Sequence, residues 1–257
     1  MTDQSENAAR TPGREAREMP FLAHLEELRW VLIKCVIALV VAAAACWIFS
    51  GTILDTLVVR TAGEAKFIGP TEAFGARLKV TVMCGVLLAL PVMAYWIWGF
   101  VVPGLLESER KFVLPLVVSS TVLFYLGSVF AYFALMPVVI KVLLSFGTDF
   151  IKPEITIAPL LGLIIRLALA CGILFQLPLV LTILCYFGVV SPRWLKEKWR
   201  YAVLASLILG AIATPADAAS QLILAGPIMA LYFISVYVSY LVTAAKRKRG
   251  ADESDED

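Results

Sequence analysis

Two carboxylates and one amide are the side chains whose type and placement best suit chemistry in this sequence. Glu27 lies in MPFLAHLEELRWVLIK, residues 19–34, with His24, Glu26 and Arg29 around it. Glu109 lies in a short polar stretch beside Glu107, Arg110 and Lys111. A carboxylate pairs with a guanidinium in bidentate fashion, so both glutamates are candidate receivers for a basic peptide. The competing reading is solvated interface charge, with Glu107 through Lys111 partly neutralising one another. Which of Glu26 and Glu27 would face such a peptide stays open. Gln176 falls near the middle of an apolar run, where a polar group is costly unless it faces protein or water. A hydrogen bond between helices would satisfy it. Arg166, in the same run, has the length to snorkel outward. Glu72 and Asp217 sit in TEAF and TPAD segments, where turn or helix-capping roles compete with contact roles.

Other chemistries lack their residues. A single His excludes a multi-histidine zinc site and any HExxH motif. Cys35, Cys46, Cys84, Cys171 and Cys185 lie inside apolar runs with no CxxC or metal-ligand spacing. They read as small buried thiols. There is no nucleotide-binding P-loop, no Ser/His or paired-Asp constellation, and no pattern for nucleic acid. No cofactor, metal or enzymatic activity is expected.

The elements that must position these groups are helices in a membrane. The chain of 257 residues is 60% hydrophobic, with a mean hydropathy of +0.86. Soluble domains are nearer half apolar. The fold class is therefore all-α: a polytopic membrane protein with six transmembrane helices and proline kinks. Residues 1–18 are polar, contain no apolar core of a signal peptide, and read as a disordered tail. Residues 19–243 form the membrane domain, and residues 244–257 a charged tail. Phe21, Leu25, Leu28 and Leu32 recur at helical spacing, which predicts a short amphipathic interfacial helix feeding the first span.

The first span is predicted at about 30–49, followed by a mixed loop over 50–78. The second covers about 80–102, with Pro91 inside it. The third lies at about 114–136, broken near Pro137 and Lys141, and the fourth at about 160–189, kinked at Pro178. SPRWLKEKWR, residues 191–200, reads as a basic loop. The fifth span, residues 201–213, is roughly 20 Å long as helix and too short for an ordinary bilayer. The sixth, about 221–241, is interrupted at Pro227. Arg110, Lys111, Arg193, Lys196, Lys198, Arg200 and the run Lys246–Arg249 place the short basic segments and both termini in the cytoplasm. Trp30, Trp96, Trp98, Trp194 and Trp199 fall near the same interface.

His24-Leu-Glu-Glu-Leu-Arg29 resembles the opening of the TatC family, the multispanning subunit of the twin-arginine protein translocase. TEAF at 71–74, Phe100-Val-Val-Pro-Gly-Leu, Glu109-Arg110, FYLGSVFAYF at 124–133 and TPADAASQ at 214–221 follow in order with family-like spacing. The resemblance implies a receptor and scaffold in the inner membrane of a prokaryote. It would bind the twin-arginine signal peptides of folded cargo, assemble with the single-span TatA and TatB subunits and with further copies of itself, and use the proton-motive force. It implies that Glu27 and Glu109, with His24 and Arg29 beside them, receive the paired arginines. Gln176, Glu72 and Asp217 are candidate transport or interhelix contacts. Three departures stand out. Gln176 replaces a Glu common in relatives and cannot titrate. Val31 replaces a second basic residue. Trp96 replaces the Gln of a Tyr-Gln-x-Trp segment. A secondary transporter for a small solute is the alternative, permitted by kinked helices and a polar Gln176. Against it stand the absence of similarity between halves and the scarcity of ionisable groups at mid-membrane.

Overall fold

In the computed structural model of the chain, the described residues are 19–62, 66, 68–105, 113–147, 155–213 and 218–254. The tail 1–18, Glu109 and Asp217 lie outside them. Among the described residues the structure is helical, apart from one bridge in which Lys66 pairs with Thr156.

Helix α1 (Met19–Cys46) is unbroken, so the expected interfacial helix and first span are one rod. The predicted loop after it is mostly helix instead: α2 (Ser50–Ala62) follows after a tight turn, and α3 (Pro70–Leu105) begins well before residue 79. The turn is fastened by Arg77 of α3, whose Nε donates to Ser50 Oγ at 2.8 Å while its guanidinium lies over the Trp47 ring at 4.9 Å. Pro70 starts α3, where its missing N–H needs no partner. Pro91 does not interrupt α3, and Pro227 does not interrupt the last helix, contrary to the predicted break there. In a membrane helix neighbouring elements absorb the freed carbonyl.

Helix α4 (Val113–Phe130) runs into a π-helical turn (Ala131–Leu135) and then α5 (Met136–Leu144). The Met136 N–H bonds the Ala131 carbonyl five residues back. The widened turn sits just ahead of Pro137, so the chain absorbs the proline without a break. At Pro178 it does break. Helix α6 (Ile157–Leu174) ends, Phe175 and Gln176 form a turn, and α7 (Leu177–Tyr186) resumes. Gly188, at φ +76°, closes α7 with its N–H on the Cys185 carbonyl, a left-handed cap that glycine adopts without strain. The supposed basic loop contains α8 (Pro192–Glu197), capped by Ser191 Oγ accepting from the Trp194 N–H. Helix α9 (Trp199–Ala213) has 15 residues, about 22 Å, as short as the sequence requires. Helix α10 (Ala218–Ser254) carries on past the expected end of the sixth span.

Among the described residues, five helical stretches are long and apolar enough to cross a bilayer, and the Trp199–Ile212 stretch is a shorter sixth. Among the described residues the helices pack around three buried clusters, the smallest formed by Cys185, Leu195 and Val236. Val80, Ala131, Met136, Leu161, Leu167 and Leu224 lie in a large core that joins α3, the π turn, α5, α6 and α10. Ala94, Trp98, Val113, Val117 and Ile183 join the end of α3 to the start of α4 and the end of α7. Small residues set the close approaches. A Cβ on Gly127 would lie 2.5 Å from the Cys171 carbonyl oxygen, and one on Gly85 would lie 2.8 Å from Ala43. Backbones come together in this way where little water drives association.

Candidate functional site

Helix α1 packs along α3 through one stripe. Val31, Cys35 and Ala42 are its buried residues, while Leu25, Leu28, Leu32 and Val36 are exposed. The exposed apolar side suits contact with lipid. Glu27 lies four residues before Val31 and eight before Cys35, on the stripe turned toward α3. Glu26 is one residue back, about 100° around the helix. Glu27 is therefore the residue that shares a groove with α3. Val31 is packed into that seam.

His24 fixes the geometry at this end. Its ring stacks on Phe100 of α3, with centroids 4.1 Å apart and planes 11° from parallel. Its Nδ1 stands 3.8 Å from Glu27 Oε2, beyond good hydrogen-bond distance but close enough for ion pairing when His24 is protonated. The side chain of Glu27 remains 56% exposed. Among the described residues, no Lys or Arg lies within ion-pair distance of it. Arg29 is exposed on another face of α1. Helix α3 ends at Leu105, five residues beyond Phe100 and four before Glu109. The result is a partly hydrated carboxylate on a rigid helix, flanked by an aromatic-stacked imidazole and, among the described residues, without a Lys or Arg partner. Such a group can take a guanidinium without first breaking a salt bridge.

Phe100 had no assigned role in the sequence beyond its place in an apolar motif. Its position one face-turn from Trp96 on α3 was the available signal.

The remaining candidates lie elsewhere. Glu72 is 28 residues before Phe100 on α3, roughly 42 Å away along the helix. Both of its oxygens are engaged: Oε2 accepts the Ile68 N–H at 2.8 Å, and Oε1 the Ala158 N–H at 2.9 Å. Beside it, the Lys66 N–H donates to the Ile155 carbonyl and the Ile157 N–H to the Lys66 carbonyl, both at 3.1 Å. Of the two readings left open by the sequence, the geometry favours capping, extended here into a clamp between two helix starts. Gln176 sits in the turn between α6 and α7, and its Nε2 donates to the Ser120 carbonyl of α4 at 2.9 Å. Its Oε1 is buried without a partner. Arg166 turns back along its own helix, with Nε donating to the Gly162 carbonyl at 3.0 Å. No group of three or more His, Cys, Asp or Glu that could hold a metal occurs among the described residues.

Comparison with known proteins places this arrangement. Residues 23–227 match the family described as Sec-independent protein translocase protein (TatC). The TatC protein of Carboxydothermus hydrogenoformans is 36% identical over 232 residues, covering 89% of this chain and 96% of its own length. That of Escherichia coli K12 is 32% identical over 236 residues, covering 90% and 92%. The fold also matches a crystal structure titled as the twin arginine translocase receptor TatC. Its TM-score is 0.76 at 30% identity, over 86% of this chain and 99% of that one. With the family matched across most of its length, in sequence and in fold, this chain belongs to the TatC family of Sec-independent protein translocase proteins.

Proposed function

We propose that this chain is the receptor that reads the paired arginines of export signal peptides, with Glu27 and Glu109 as the carboxylates that receive them. The observation that carries the reading is the placement of Glu27. It projects from the α3-facing stripe of α1, beside a stacked His24–Phe100 pair, without a cation of its own among the described residues. Glu109 follows within four residues of the end of α3. One arginine would displace His24 from Glu27 and the next would reach Glu109. Each gains a fork-to-carboxylate pair that lysine cannot reproduce.

Both termini and this face are cytoplasmic in the proposed topology, and the protein resides in the inner membrane of a prokaryote. It acts with the single-span TatA and TatB subunits and with other copies of itself, and the proton-motive force drives cargo passage. The family resemblance and the Lys and Arg residues of the short segments in the sequence support this. A photoreactive residue in place of Phe100 tests the reading. In membranes it should crosslink to an arginine-paired signal peptide, whereas one in place of Ile68, at the far end, should not. Crosslinking from the far end alone would contradict it.

A further inference from the structure

A groove of about 610 Å³ lies between α3 and α6, well within the size range of ligand sites. Its walls are apolar: Leu78, Val82, Met83 and Val86 from α3, Ile165 and Leu169 from α6. Two cations, Lys79 and Arg166, stand on it, and no acid does. Glu72, the sole acid of α3, already gives both oxygens to backbone N–H groups. Arg166 is the sole charge of α6. Its side chain folds toward the start of α6, and its Nη2 passes 3.7 Å from where a Cβ on Gly162 would be. A larger side chain there would crowd this path.

The depth of the two cations is informative. Lys79 lies 22 residues from Val101, the inner end of its span, about 33 Å as unbroken helix and close to one hydrocarbon thickness of about 30 Å. Arg166 follows Ala158 by eight residues and Lys79 follows Glu72 by seven, and the Glu72–Ala158 bond sets the two helix starts level. Both cations therefore stand at one level, where phosphates of the far leaflet begin. The apolar walls continue from them toward the bilayer centre. Basic pockets between membrane helices hold anionic head groups.

We propose that this groove binds one anionic phospholipid, its phosphate between Lys79 and Arg166 and an acyl chain along Val82, Val86 and Leu169. The lipid would neutralise two charges at the edge of the hydrocarbon, and it would fill the seam between two helices already joined by Glu72. The assignment depends on depth and charge, not on which face of the membrane is outside.

The test uses the full chain purified in a neutral detergent, with lipids of equal acyl composition. Native mass spectrometry should show phosphatidylglycerol retained in preference to phosphatidylcholine by roughly tenfold or more. The double variant Lys79→Gln/Arg166→Gln should lose that preference. The pair Lys79→Arg/Arg166→Lys should keep it, which separates loss of charge from loss of fold. Lys141→Gln, a cation on α5 outside the groove, should keep it too. Inorganic phosphate should not displace the lipid, because it has no chain for the groove. A photoreactive residue at Val86 should form a lipid adduct in membranes. Equal retention of the two lipids, preference surviving in the Gln pair, displacement by phosphate, or a protein adduct at Val86 would each overturn the proposal.

Discussion

The carboxylate of Glu72 accepts the Ala158 N–H at 2.9 Å, joining the first turn of α3 to the first turn of α6 across 86 residues of sequence. Its other oxygen accepts the Ile68 N–H in the segment leading into α3. Ala cannot accept either bond. Gln keeps one acceptor oxygen but turns an NH2 donor toward the second N–H. Thermal unfolding in detergent should therefore rank parent above Glu72→Gln and Glu72→Gln above Glu72→Ala. Equal melting temperatures would mean that the clamp contributes nothing.

Gly127 faces the backbone of α6, where a Cβ would meet the Cys171 carbonyl oxygen at 2.5 Å. Backbone cannot move aside as a side chain can. Gly127→Ala should cost about 1–3 kcal/mol by forcing α4 and α6 apart. Gly75→Ala, with nothing within 4 Å of the new Cβ, should be neutral or slightly stabilising through helix propensity. Guanidinium-free thermal melts of the two variants provide the comparison. Matching losses would refute the packing argument.

Gln176 donates one interhelix hydrogen bond, worth about 0.6–1.7 kcal/mol in membrane proteins. Its buried Oε1 has no partner, which costs free energy in return. Gln176→Leu removes both, so stability should change by no more than about 1 kcal/mol. Transport should fall more in Gln176→Leu than in Gln176→Glu, since a protonated Glu can still donate to the Ser120 carbonyl. Export of a folded reporter, measured beside melting temperature, separates the two effects. Full export by the Leu variant would leave Gln176 a structural bond alone.

Topology has its own check. In a background lacking the five native cysteines, Ala218→Cys should react with a membrane-impermeant maleimide from the periplasm, and Glu197→Cys should not. The reverse pattern would invert the orientation. Helix α9, at about 22 Å, should also hold the bilayer thinner than its roughly 30 Å norm. Lengthening it by one turn should then impair export rather than improve it.

Much of this was legible because bilayer thickness and apolar run length constrain each other. Six apolar stretches gave six helical segments, and the shortness of the fifth followed from Arg200 and Thr214 alone. Prolines were less legible. Pro178 does break a span, while Pro137 is absorbed by a π turn and Pro227 by continuous helix. The same side chain has different outcomes because neighbouring helices decide what happens to the freed carbonyl. The helix over 50–62 was missed because Gly51 and the polar Thr52, Asp55 and Thr56 masked a stretch held by packing on α3. At the site, Glu27 and His24 could be nominated from their types. That Glu27 rather than Glu26 faces α3 required knowing which stripe of α1 is buried. The stacking of His24 on Phe100 joins residues 76 positions apart and left no local signal. The groove at Lys79 and Arg166 was equally hidden, since each cation alone reads as a snorkelling side chain.

The central claim is that Glu27 and Glu109 receive paired arginines, and peptide affinity tests it most directly. A charge-assisted pair contributes about 1.5–3 kcal/mol when partly shielded. The exposure of Glu27 trims its share to about 1 kcal/mol, or roughly fivefold. Binding of a fluorescent arginine-paired signal peptide to the purified full chain should weaken roughly fivefold in Glu27→Ala and tenfold or more in Glu109→Ala. The same peptide with both arginines changed to lysine should bind the parent more weakly and lose less in either variant. Equal losses for the two peptides, or no loss for either, would contradict the account and return both glutamates to solvated interface charge.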